Sequence, residues 1–297
     1  PTLERGLFKL KHTYSVINGF SGNITREGLE RLRNNPRVAG IYFDKILYLQ
    51  LDGSIPQINA NDVHAFQPNG TNLTGAGQVV CVIDSGIDYR NRYLGNCTPT
   101  NFTQRRCPTV IHGHDYENND IDPRDDHGHG THVAGIVASN DTTYRGVAPD
   151  ARLVALKVCD NTTNGACSTA NVIAGLDWCV NNKTALNISI ITMSIGTAAT
   201  ETSACNTNAM ANSSNFAVSN GIFVSIAAGN NGCTNGCNTS ISAPACGENV
   251  TAVGSATGGD AISSFSNRAM FNTLFAPGDS IMSTVPFDQA TTHSATT

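Results

Sequence analysis

The sequence predicts a doubly wound α/β fold, a parallel sheet covered by helices on both faces, preceded by a small partial α+β piece. Three observations carry this expectation. From Gln78 onward short, continuous apolar runs recur, stretches of helical character separate them, and the runs end in polar or glycine-containing turns. Strands buried on both faces read as continuous apolar runs, and alternation with helices is the mark of a parallel sheet.

The elements follow in order. Residues 7–51 read as strand, helix and strand: the alternating "KHTYSVING", then "TREGLERLRNNP", then the alternating "AGIYFDKILYLQL". The helix has Thr25 as its cap, Leu29 and Leu32 on one face and Pro36 closing it. A piece this small buries little by itself and is expected to lean on a partner. The later runs are "VVCVI", "HVAGIVAS", "ARLVALKV", "TANVIAGLDWCVNN", "ISIITMSIG", "FVSIAAGN" and "NVTAVGS". We therefore divide the chain into a first domain over residues 1–53 and a doubly wound domain over 54–297. In such sheets chemistry sits where loops leave the carboxyl ends of strands, which points to Asp84, Ser194 and Asn230.

Composition narrows the function. With 297 residues, 40% of them apolar, the chain is long enough for a sizeable core. Charged residues are 14% and the net charge is −5, without a basic patch, so nucleic acid is not an expected partner. No window approaches the roughly 18 uninterrupted apolar residues of a membrane span. The ten cysteines do not form the paired units of a zinc site; Cys97/Cys107, Cys159/Cys167 and Cys233/Cys237 sit close together in loop-like stretches and suggest local disulfides. Asn-x-Ser/Thr triplets recur roughly a dozen times, for example at Asn23, Asn72, Asn101, Asn161 and Asn238. Disulfides and glycosylation triplets both place the protein outside the cell.

The stretch "DDHGHGTHVAG" packs three histidines among glycines and acids. His129 precedes Gly130 and Thr131 at a helix start, where an imidazole edge stays accessible; His132 falls inside the first turn and His127 in the loop. Asp84 ends the strand "VVCVIDSGID". A histidine with a pKa near about 6.5, oriented by a buried carboxylate, takes a proton from a hydroxyl and returns it to a leaving group. Asp84 followed by His129 fits the first two members of one known order of the Ser-His-Asp triad. Upstream, Asp115, Asn118, Asp120 and Asp122 crowd oxygen-bearing side chains into one loop. Hard oxygen ligands of that kind suit calcium, which takes about six to eight of them.

The blocks "VVCVIDSGID", "HGTHVAG", "GVAPDARLVALKV", "ITMSIG" and "AAGN" resemble, in order and spacing, those of the subtilisin-like serine peptidases, the subtilases. The segment "YSVINGFSGNITREGLERLRNNPRVAGIYFD" is similar to the second half of the subtilase propeptide, an intramolecular chaperone and inhibitor. The earlier strand and helix of that propeptide are not seen, and the chain opens on Pro1, so a trimmed front is expected. The resemblance implies that Asp84 orients the imidazole and His129 is the general base. It implies that Asn230 donates its side-chain amide to the oxyanion of the tetrahedral intermediate. Ser194, Ile195 and Gly196 resemble the edge on which substrate backbone adds as a strand. Ala227, Ala228 and Gly229 would help wall the primary specificity pocket, with Thr197 standing where the family usually has a further glycine. Thermitase-like subtilases have a calcium loop at the place of residues 115–122, although Arg124 replaces one of its usual oxygen donors.

A subtilase nucleophile lies in a segment like Gly-Thr-Ser-Met-Ala, a dozen or so residues beyond "STVPFDQ". The 297 residues hold no such segment; Ser294, in "THSATT", lacks both the preceding Gly-Thr and a following helix. The expectation is a secreted, monomeric serine endopeptidase acting on polypeptides and inhibited by its own propeptide, whose nucleophile is missing from this stretch. The alternatives are a noncatalytic binding module of the same fold, or a calcium-dependent extracellular adhesion domain.

Overall fold

The computed structural model describes residues 7–14, 19–38, 41, 54–161, 165–197, 200–232, 239–288 and 293–296. The chain divides into two units, Pro1–Leu47 and Tyr48–Thr297.

In the first unit β1 (Phe8–Tyr14) and β2 (Gly19–Ile24) pair antiparallel, and α1 (Arg26–Arg33) follows. Thr25 caps this helix: the Gly28 N–H donates to Thr25 Oγ1 at 3.1 Å, satisfying an amide that the helix itself leaves unpaired. Glu27 in the first turn and Arg31 and Arg33 in the last complement the helix dipole. Leu32 is buried. Where one strand was expected before the helix, two share residues 8–24, because an antiparallel partner takes up the amides and carbonyls that a lone strand leaves open. The expected strand "AGIYFDKILYLQL" lies, apart from Ile41, outside the described residues.

The second unit is built on a seven-stranded, all-parallel sheet. Its strands are β3 (Val79–Asp84), β4 (Val110–Asp115), β5 (Arg152–Lys157), β6 (Ile188–Met193), β7 (Phe223–Ala227), β8 (Thr251–Ala256) and β9 (Leu274–Pro277). Their order in space is β9-β8-β7-β6-β3-β5-β4. Helices α2 (His129–Ala138), α3 (Thr169–Asn181) and α4 (Ala209–Ser219) cover it. Successive side chains of a strand point to opposite faces. Val79, Cys81 and Ile83 accordingly join a core with Val172 and Leu176 of α3 and Met210 and Ala211 of α4. Val80 and Val82 join a second core with Ala134 and Ala138 of α2. Burial on both faces is why "VVCVI" reads as an uninterrupted apolar run.

Cys81–Cys179 ties β3 to α3 across a sequence separation of 98. A closed loop of that length restrains the unfolded chain by about 4–5 kcal/mol in the entropic account. Cys97–Cys107 and Cys159–Cys167 close as their spacing suggests. Cys205–Cys246 joins two further loops, and Cys233 and Cys237 lie outside the described residues. The edge strand β4 was not foreseen, since "VIHGHD" mixes histidines and glycine in a half-buried pattern. Beyond the sheet, β10 (Ile281–Thr284) pairs antiparallel with β11 (His293–Thr296) and anchors to α2. There Ser283 Oγ donates to the His132 carbonyl and Thr284 Oγ1 to the Thr131 carbonyl, both at 2.8 Å.

From β3 the chain goes to the edge at β4, returns through β5, and then crosses to β6 on the other side of β3. The strand order thus reverses at β3, and a crevice opens beyond the carboxyl ends of the central strands.

Candidate active site

Asp84 is the last residue of β3, buried at that crevice. His129 is the first residue of α2. Its Nδ1 lies 2.7 Å from Oδ1 of Asp84, and the Ser85 N–H donates to the same oxygen at 2.7 Å. Oδ2 is buried with no hydrogen-bond partner among the described residues. A carboxylate oxygen only accepts, so Nδ1 carries the proton and Nε2 is left with a lone pair. The imidazole keeps 32% of its surface exposed, against 2% for the Asp84 side chain. Asp84 close by holds the His129 pKa above the ordinary imidazole value, with burial working against it and Asp125 adding to it.

The loop and helix start are fixed by Asp125, which sequence reading did not single out. This buried carboxylate accepts from Ser85 Oγ at 3.0 Å, from the His127 and Gly128 amides at 3.0 and 2.8 Å, and from both the Thr131 amide and hydroxyl. Ser85 Oγ in turn accepts from the Gly130 N–H at 2.9 Å. Gly130 has to be glycine, since a Cβ there would collide with the Gly86 carbonyl. The turn after β3 and the start of α2 are thereby locked together, which sets the Asp84–His129 distance. Burial pushes the Asp125 carboxyl up, while the donors around it pull it down.

His129 borders two cavities. One, of about 540 Å³, also has Ser194, Ile195, Gly196, Ala227, Ala228, Gly229 and Asn230 on its walls. The other, of about 410 Å³, is lined by His127, the Cys159–Cys167 bridge and again residues 194–196. Asn230 is exposed, in the loop that follows the carboxyl end of β7. His127 is exposed, with its ring 6.5 Å from that of His129. His132 is buried, and its Nε2 lies 3.1 Å from the Ile281 carbonyl, so it packs α2 against β10. Ser294 sits in β11 opposite Ser283, and its side chain is outside the described residues. Among the described residues no hydroxyl bonds to Nε2 of His129.

The subtilase family matches residues 75–297, the larger part of the chain. The chain belongs to the subtilase family. Residues 3–50 match the peptidase inhibitor I9 family, so a subtilase propeptide stands at the N-terminal end. Alkaline serine exoprotease A of Vibrio alginolyticus is 34% identical over 281 residues, covering 90% of this chain and 46% of that protein. Subtilisin E of Bacillus subtilis (strain 168) is 32% identical over 285 residues, covering 94% of this chain and 66% of that protein. The chain thus spans less than half of the first relative and just under two thirds of the second. A crystal structure of a cold adapted subtilisin-like serine proteinase aligns with TM-score 0.57 at 30% identity, covering 71% of this chain and 67% of that one.

In this subtilase the oxygens of the acidic loop accept hydrogen bonds from the protein. Asp115 Oδ1 accepts from the Glu117 and Asn118 amides, and its Oδ2 accepts from Asn118 Nδ2 with Lys157 Nζ 3.6 Å away. Asp120 Oδ1 accepts from the Asp122 amide, and Asp122 Oδ1 from the Tyr89 hydroxyl. Among the described residues no group of three or more His, Cys, Asp or Glu is placed to hold a metal ion. Of the residues expected to bind calcium, Asp115, Asn118, Asp120 and Asp122, each takes part in hydrogen bonds within the protein. Both oxygens of Asp115 and one each of Asp120 and Asp122 accept from donors of the protein, and the buried Lys157 ammonium lies between Asp115 and Asp126. Millimolar calcium is accordingly expected to raise the melting temperature of Asp120→Asn by as much as it raises that of the wild type. A calcium response lost only in the variant, measured against chelator, would restore the metal to this loop.

Proposed function

We propose that the protein is a secreted serine endopeptidase that hydrolyses polypeptides through an Asp-His-Ser triad. The observation that carries the proposal is the 2.7 Å contact of buried Asp84 with Nδ1 of His129, at the mouth of a cleft that Asn230 also lines. Asp84 orients the ring and stabilises the imidazolium; Nε2 takes the proton of a serine hydroxyl and delivers it to the leaving amine. The nucleophile is the serine whose hydroxyl is brought to Nε2 on the His129 side of the cleft. Asn230 donates its amide to the oxyanion, and residues 194–196 receive the substrate backbone as an added strand. The four disulfides among the described residues and the exposed glycosylation triplets at Asn23, Asn72, Asn101 and Asn161 support an extracellular setting. The N-terminal domain expected from the sequence, residues 1–53, acts as intramolecular inhibitor until it is cleaved from the peptidase domain, 54–297.

The test is hydrolysis of a chromogenic peptide by the natural full-length protein, with labelling by a fluorophosphonate that marks activated serines. Labelling lost in His129→Ala is the expected result. A full-length protein that binds peptide but is never labelled would leave only the binding-module reading.

The pH dependence follows from the site. His129 works as a base only when neutral, and Asp84 raises its pKa. The acid limb of kcat/KM is therefore expected above the ordinary value of about 6.5. Asp84→Asn, at whatever activity remains, should move that limb down. The same shift has a stability sign: the pair stabilises the fold fully below the unfolded imidazole pKa, and that contribution is lost as pH rises through the folded one. The melting difference between wild type and Asp84→Asn should thus shrink on going from pH 5 to pH 8. A difference that grew with pH would contradict the pairing.

A further inference from the structure

We infer that Asn267 is the positioning residue for Asn230: its buried amide clasps both flanks of the turn that presents Asn230 to the cleft. The inference rests on the oxyanion reading of Asn230. Asn267 is fully buried, in the loop between β8 and β9. Its Nδ2 donates to the Ala228 carbonyl at 3.0 Å and to Ser242 Oγ at 3.3 Å. Its Oδ1 accepts from the Asn231 amide at 2.8 Å and the Gly232 amide at 3.1 Å. Its own N–H donates to the Gly229 carbonyl at 2.9 Å. Residues 228, 229, 231 and 232 are all held, and Asn230 between them is left exposed toward the cleft.

Only a side-chain amide reproduces this set, and glutamine carries it one methylene further from the backbone. A primary amide has two donor hydrogens and two acceptor lone pairs, and all four are used here. Aspartate keeps the accepting oxygens and loses the donors; serine is too short to reach both flanks. Gly229 is matched to the clasp, because its φ of +107° is the glycine region and a Cβ there would run into Asn267 Nδ2. The clasp is itself anchored to β8: the Ser255 amide donates to Ser266 Oγ at 2.8 Å, and that hydroxyl donates to the Asn267 carbonyl at 3.0 Å.

The consequence is kinetic. An oxyanion donor helps only if it is held where the negative charge develops, and a misplacement of about 1 Å costs on the order of a hundredfold. An exposed side chain on a glycine-rich turn has no such precision by itself; the clasp supplies it from a different segment of the fold.

The experiment is a double-mutant cycle in the natural full-length peptidase: Asn267→Ala and Asn267→Asp, each alone and combined with Asn230→Ala, with kcat, KM and melting temperature measured. Asn267→Ala is expected to lower kcat about tenfold to a hundredfold with KM within about twofold. Asn267→Asp should lower it less. In the Asn230→Ala background either change should cost less than about twofold more, since the group being positioned is gone. Equal losses in both backgrounds, or a loss confined to KM, would overturn the inference and leave Asn267 a structural residue. If Asn267→Ala does not fold, Asn267→Asp completes the same cycle. If Asn230→Ala itself leaves kcat unchanged, the oxyanion reading falls and the positioning role falls with it. That failure is distinct from one in which Asn230→Ala is slow and the losses merely add.

Discussion

Asp84→Asn in the full-length peptidase is expected to lower kcat about 10⁴-fold with little change in KM, the size found when triad aspartates of serine proteases are neutralised. This is roughly 5 kcal/mol of transition-state stabilisation. The geometry explains why so small a change costs so much. Oδ1 of Asp84 accepts from Nδ1 of His129, which leaves the Nε2 lone pair free to accept a proton. An amide at the same place offers N–H groups to Nδ1 and favours the tautomer with hydrogen on Nε2, which has nothing to accept with. Removing the ring altogether, by His129→Ala, should cost on the order of 10⁶-fold. The double variant should be no slower than His129→Ala alone, because the aspartate acts through the ring. Steady-state kinetics on a peptide substrate checks this. A loss below about tenfold for Asp84→Asn would remove Asp84 from the triad.

Asn230→Ala is expected to lower kcat about a hundredfold to a thousandfold, about 3–4 kcal/mol, again with KM nearly unchanged. The side chain is exposed on the wall of the same cleft that His129 borders, and the proposed reaction places the oxyanion beside it. A neutral amide binds the ground-state carbonyl weakly and the oxyanion strongly, which is why the loss falls on kcat. Asn230→Asp should be slower still, because a carboxylate facing an oxyanion repels it. Turnover equal to wild type in Asn230→Ala would take Asn230 out of the oxyanion role.

Much of the fold was readable because burial leaves a signature in local pattern. The double-sided cores on β3 demanded an unbroken apolar run, and its end marked where Asp84 would meet the crevice. Thr25 announced its helix, since a cap is a contact between residues three apart. Neighbouring cysteines paired locally for the same reason. Residue types with one strong chemistry, an aspartate after a strand and a histidine at a helix start, could be singled out from the chain alone.

What the sequence could not show are the partners that meet only when the sheet is assembled. Asp125 looked like one more acid in a loop until Ser85 and Thr131 were seen to converge on it. Asn267 lies 36 residues from Asn231, in a stretch of small polar residues with no local pattern to distinguish it. Cys81 and Cys179 meet only because α3 packs on β3. Lys157 and Tyr89, which come from other strands and turns, reach Asp115 and Asp122 of the acidic loop only in the folded chain. Amino-acid order by itself determined the elements and the chemistry carried at their ends. Tertiary structure alone decided which polar groups are satisfied by one another, because a hydrogen bond or ion pair spans about 3 Å in space and any distance along the chain.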